Sequence, residues 1–152
     1  MNKVAIAGKG GSGKTTIAGI LQEDQVVTVV DMEAGLEHLS RGTDRHVDTL
    51  LVVLEPYFKA LETARRCAEL GRELGIPRVW GVANKLRGPE DTQAVRAYAA
   101  AHGIRLAGEV PFDQGVYQAE LAGQAPPAGP EAPAARAIGA LAGALRSDGG
   151  LP

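Results

Sequence analysis

Short runs rich in apolar and β-branched residues recur along the chain: 3–7 (KVAIA), 26–30 (VVTVV), 49–55 (TLLVVLE), 78–84 (RVWGVAN) and 104–110 (IRLAGEV). They read as strands. The first four are nearly continuously apolar, as a parallel sheet covered on both faces requires. Between them the period lengthens to that of a helix. Residues 15–22 predict a short helix and 59–75 a strong one, with Leu61, Ala64, Ala68, Leu70 and Leu74 at helical spacing and Gly75 at the C-cap. Residues 88–103 repeat the form, with Pro89 at the start, Glu90 and Asp91 in the first turn and Gly103 at the end. A last helix over 131–146 follows the Pro/Gly-rich loop 123–130 (GQAPPAGP). That loop, extended through EAPAA, could instead begin a disordered tail. The apolar spacing that resumes at Ile138, Leu141 and Leu145 points to a docked helix.

Strands alternating with helices through short links predict an α/β fold: a doubly wound parallel sheet of about five strands with right-handed crossovers. The expected order is 2-1-3-4-5, with one domain over 1–152 and no internal repeat.

Composition narrows the class. The chain is 45% hydrophobic and only 4% aromatic, so Val, Leu, Ile and Ala must build the interior. A formal charge of −2 gives no general pull toward nucleic acid or anionic lipid, so neither is expected as a partner. The one cysteine, Cys67, excludes an internal disulfide, suits a reducing cytoplasm and reads as a buried structural thiol. No run approaches the roughly 18 apolar residues of a membrane span, and the N-terminus lacks the apolar core of a signal peptide. A soluble cytoplasmic protein is the expectation.

The candidate chemistry starts at residues 8–15, GKGGSGKT, which fit G-x-x-x-x-G-K-[ST] between a predicted strand and a predicted helix. This placement marks the fold as that of a P-loop NTPase. Gly8, Gly10, Gly11, Ser12 and Gly13 would let consecutive amide groups point at phosphate oxygens, aided by the positive end of the following helix. Lys14 would reach the β- and γ-phosphates of ATP, Thr15 would bind Mg²⁺, and Thr16 completes the loop. The bland alternative is a flexible glycine-rich turn.

Asp31 ends the buried run VVTVVD, the form of a Walker B element, and would hold Mg²⁺ through a water. As a lone strand-end acid it could equally cap a helix or turn. Asn84, at the end of VAN, suits the donor–acceptor edge of adenine. Position 87 is Arg where guanine readers of the form N-K-x-D place an acid, so adenine is favoured. A plain turn role for Asn84 stays open.

GKGGSGKTT, DMEAGLEHLSRGT, LLVVLEP, ANK and GEVPFDQGVYQAELAGQAP occur in this order. Together they resemble the nickel-inserting accessory ATPases that mature carbon monoxide dehydrogenase, within the MinD/ParA-type class. The resemblance implies that Lys9 reaches across an ATP-dependent homodimer to the partner's phosphates; otherwise Lys9 is a solvated surface lysine. It also implies that Pro111, Phe112 and Asp113 lie against the nucleobase, that Glu55 and Pro56 end a strand near the nucleotide, and that a nickel enzyme is the client. Members of that family carry a further segment before the DMEAG strand, with a strand, a water-positioning aspartate and a C-x-C nickel pair. Here residues 17–25 lead almost directly into VVTVV. The missing C-x-C puts nickel binding in doubt, and His38 and His46 read as solvated. Glu23, Asp24 and Glu33 are the nearby acids that could replace the aspartate. Mg·ATP binding with weak hydrolysis is therefore expected. Two rivals are a non-hydrolysing nucleotide-binding regulator and a positioning ATPase like those acting on DNA or membranes.

Overall fold

The apolar runs lie side by side as one parallel sheet. In the computed structural model, which describes residues 3–21, 26–29 (backbone only), 47–127, 129 and 131–147, the strands are β1 (Lys3–Ala7), β2 (Val26–Val29), β3 (Thr49–Leu54), β4 (Arg78–Leu86) and β5 (Arg105–Pro111). Their order is β2-β1-β3-β4-β5, every pairing is parallel, and it matches the order expected from the sequence. The connections leave β1 in one direction and return to β3 on its other side. The strand ends between β1 and β3 therefore form the crevice where open α/β sheets bind ligands.

The helices are α1 (Lys14–Leu21), α2 (Phe58–Glu73), α3 (Pro89–Ala101), α4 (Gln114–Ala122) and α5 (Pro133–Ser147). Alternation along the strands divides the core in two. Ala5, Leu50, Val52 and Leu54 pack with Leu61, Ala64 and Cys67 of α2 and with Val95 of α3. Val4, Ile6, Leu51 and Val53 face the other way, against Ile17 and Leu21 of α1 and Ile138, Leu141 and Leu145 of α5. Each fully buried Leu or Ile contributes roughly 1.5–3 kcal/mol, so both layers are needed to hold β3 in the centre.

Helices α2 and α3 stop the same way. The N–H groups of Gly75 and Ile76 donate to the carbonyls of Arg72 and Gly71, and those of Gly103 and Ile104 to Ala100 and Ala99. Both glycines are left-handed, at φ 80° and 65°. These are the stops expected from Gly75 and Gly103.

The differences from expectation sit mainly at element ends. Glu55 falls just beyond β3, β4 runs on to Leu86, and α5 begins at Pro133. Helix α4 was not expected, because QGVYQAELA carries little apolar periodicity. Asp31, Glu23, Asp24, Glu33, His38 and His46 lie outside the described residues. Among the described residues, no helix is long and apolar enough to cross a membrane.

Candidate functional site

Between β1 and α1 the chain turns through Gly8–Gly13. The Ser12 N–H donates to the Lys9 carbonyl at 3.0 Å, closing a tight turn. Gly11 and Gly13 sit at φ 80° and 100°, and a Cβ on Gly13 would collide with the Asn84 side-chain nitrogen. Only glycine meets both conditions at 13. Lys14 is buried, and its Nζ donates to the Gly8 carbonyl at 2.9 Å, so the first turn of α1 holds this side chain against the loop. The Ser12 hydroxyl is fully buried and has no hydrogen-bond partner among the described residues. Thr15 is exposed, while Thr16 donates its hydroxyl to Glu120 Oε1 at 3.1 Å. Left-handed glycines and the lysine that opens α1 are the groups through which such a loop can hold an anion, and Gly11, Gly13 and Lys14 line one hollow.

The end of β4 grips this loop. Asn84 is buried, and its Nδ2 donates to the Ser12 carbonyl at 2.9 Å. Lys85 Nζ donates to the Gly11 carbonyl at 2.6 Å and lies 3.8 Å from the Glu55 carboxylate. Glu55 is itself buried and accepts from the Tyr57 hydroxyl at 3.2 Å. Burial and the Glu55 carboxylate raise the Tyr57 phenol above its ordinary value. Lys9 Nζ stands 5.7 Å from the centre of the Tyr57 ring.

Beyond Asn84 a cavity of about 200 Å³ opens, lined among others by Asn84, Arg87, Pro111, Phe112 and Tyr117. The Arg87 guanidinium lies over the Phe112 ring at 4.5 Å, and the Phe112 and Tyr117 rings stand 5.9 Å apart. Asp113 lines the cavity too, but its carboxylate is engaged in structure. Oδ1 accepts from the Gly115 and Val116 amides and Oδ2 from the Ala134 amide. A second hollow, of about 340 Å³, runs along Gly11, Lys14 and Thr15. The two adjoin at Gly13 and at the hydrogen-bonded pair Thr16 and Glu120, which line both.

The structure thus brings together Gly8–Thr16, Asn84, Pro111, Phe112 and Asp113. Lys9 stands beside Tyr57, and Asp31 lies outside the described residues. Lys85 and Glu120 were not singled out from the sequence. The signal for Lys85 was its place after Asn84; Glu120 had none beyond its place in the QAELAGQ stretch.

Residues 3–126 match the family described as the CobQ/CobB/MinD/ParA nucleotide binding domain. The chain belongs to this family. It is 38% identical over 110 residues to the carbon monoxide dehydrogenase accessory protein CooC of Rhodospirillum rubrum, a match covering 72% of this chain and 41% of CooC. It is 40% identical over 106 residues to an uncharacterized ATP-binding protein of Methanocaldococcus jannaschii, covering 69% of this chain and 40% of that protein. Its matches thus span about two fifths of these relatives' length. In structure the MinD/ParA-family chain is similar to the MinD cell division protein of Aquifex aeolicus, with TM-score 0.73, 14% identity, and coverage of 95% of this chain and 97% of that one. It is also similar to the septum site-determining protein MinD complexed with Mg-ADP from Pyrococcus horikoshii OT3, with TM-score 0.69, 15% identity, and coverage of 98% and 97%. At these identities the likeness speaks for the fold.

Proposed function

We propose that the protein binds Mg·ATP across the two adjoining hollows, from the glycine loop to the Arg87–Phe112 stack, and hydrolyses it weakly or only with a partner. The observation that carries this reading is the buried Lys14 at the end of a glycine loop with left-handed Gly11 and Gly13, beside a hollow lined by Gly11, Gly13, Lys14, Thr15 and Thr16. The amides of the loop and Lys14 would take the phosphates. Thr15 and, from the sequence, Asp31 through a water would hold Mg²⁺, which neutralises phosphate charge in such sites. Asn84, its Nδ2 engaged with Ser12, offers Oδ1 to an adenine amino group, while Phe112 supplies a face for the ring.

The kinship with CooC supports an accessory role toward a metalloenzyme, with a nickel enzyme as the proposed client. Nickel itself would need ligands other than C-x-C, which the sequence does not contain. Lys9, in the glycine loop near the exposed Tyr57 ring, supports an ATP-dependent homodimer.

The non-hydrolysing reading draws on one observation. Glu55, the buried carboxylate beside the loop, is committed to Lys85 and Tyr57 and so is poorly placed to orient an attacking water. Single-turnover phosphate release, set against Lys14→Ala, separates the two. A rate above that background establishes an ATPase; equal rates despite measurable ATP affinity establish a binding module.

A further inference from the structure

Side chains at adjacent positions of a regular strand point to opposite faces. Asn84 and Lys85 are adjacent, yet both reach the same loop, at Ser12 and Gly11. The pairing with β5 shows how. Ala83 stands opposite Glu109 and Leu86 opposite Pro111, so the register shifts between them and one extra residue of β4 is accommodated at Asn84–Lys85. A bulge of this kind re-aims side chains. It is completed by Lys85 itself, whose φ of 59° makes it the one non-glycine with positive φ among the described residues. A lysine gains nothing from that conformation locally, and such strain persists where the surroundings over-determine it. Here the surroundings are the Gly11 carbonyl at 2.6 Å and the buried Glu55 carboxylate at 3.8 Å.

We infer that Lys85 is a positioning residue, held by Glu55, that clamps the phosphate loop through the Gly11 carbonyl and so sets the loop's amides for nucleotide. The inference deepens the Mg·ATP reading and rests on it for its effect on affinity. The clamp is a charge-assisted hydrogen bond, and its loss leaves Gly11 free to rotate its peptide away from the hollow.

Lys85→Gly tests this, because glycine accepts φ 59° without strain while removing the cation. Three readouts are compared with wild type: thermal midpoint, amide hydrogen exchange at Gly10–Gly13 without nucleotide, and affinity for Mg·ATP against adenosine. The expected result is an unchanged or higher midpoint, faster exchange in the loop, and Mg·ATP affinity reduced about tenfold with adenosine affinity retained. Lys85→Arg should restore slow exchange and most of the affinity. Exchange in Lys85→Gly identical to wild type overturns the clamp, whether or not nucleotide binds. A wild type that shows no Mg·ATP binding, with exchange sensitive to Lys85, removes the nucleotide reading and leaves the clamp standing as a property of the loop.

Discussion

Gly13 meets two demands at once: a backbone at φ 100° and the Asn84 amide pressed where a Cβ would stand. Gly13→Ala should therefore lower stability by about 1–3 kcal/mol, read from urea midpoints, and weaken nucleotide binding by displacing Asn84. Residues of this kind were legible in the sequence, because the phosphate loop is a local motif whose glycines and Lys14 lie within one turn of each other. Lys85 and Glu120 were not. Their contacts with the loop cross 74 and 104 positions, and the first depends on a bulge that no local pattern announces. Asn84 was read as a base contact or a plain turn residue, and its hold on Ser12 belongs to the tertiary structure.

At the scale of elements, the strands and the helices over 59–75 and 88–103 followed directly from apolar spacing and glycine stops. Helix α4 did not, because its start is fixed by a cap and not by a stripe. Asp113 accepts the amides of Gly115 and Val116 and also that of Ala134, at the start of α5. Asp113→Ala should cost about 1–2 kcal/mol in urea unfolding, with Asp113→Asn recovering part of it. A second element-level test lies between α2 and α3. Hydrogen bonds from Arg65 and then Tyr98 hold the Glu62 carboxyl down to about 2, from an ordinary value of 4.5. A carboxyl depressed in the folded state stabilises fully above its unfolded value, and that stabilisation is lost as pH falls toward the folded one. Stability should therefore decline between 4.5 and about 2. Tyr98→Phe should flatten the slope of urea midpoints across that window.

For the whole molecule, the sheet places the glycine loop and Lys14 at the switch point between β1 and β3, and Asn84, Arg87 and Phe112 around the ends of β4 and β5. The order of strands was legible because alternation of strand and helix leaves few ways to close such a sheet. The meeting of the two hollows at Thr16 and Glu120 was not, since it depends on where α4 docks. Lys9 stands near the exposed Tyr57 ring. Sedimentation with a non-hydrolysable ATP analogue should show a dimer for wild type and a monomer for Lys9→Ala. A monomer in both would remove the sandwich arrangement.

The central claim is that the glycine loop and its buried ammonium hold a triphosphate. Calorimetric titration of Mg·ATP into the wild-type protein and into Lys14→Ala tests it most directly. The account predicts saturable heat for the wild type and affinity lowered at least about tenfold in the variant, because a charge-assisted contact is removed. Identical isotherms for the two proteins, or no heat from either, would contradict it.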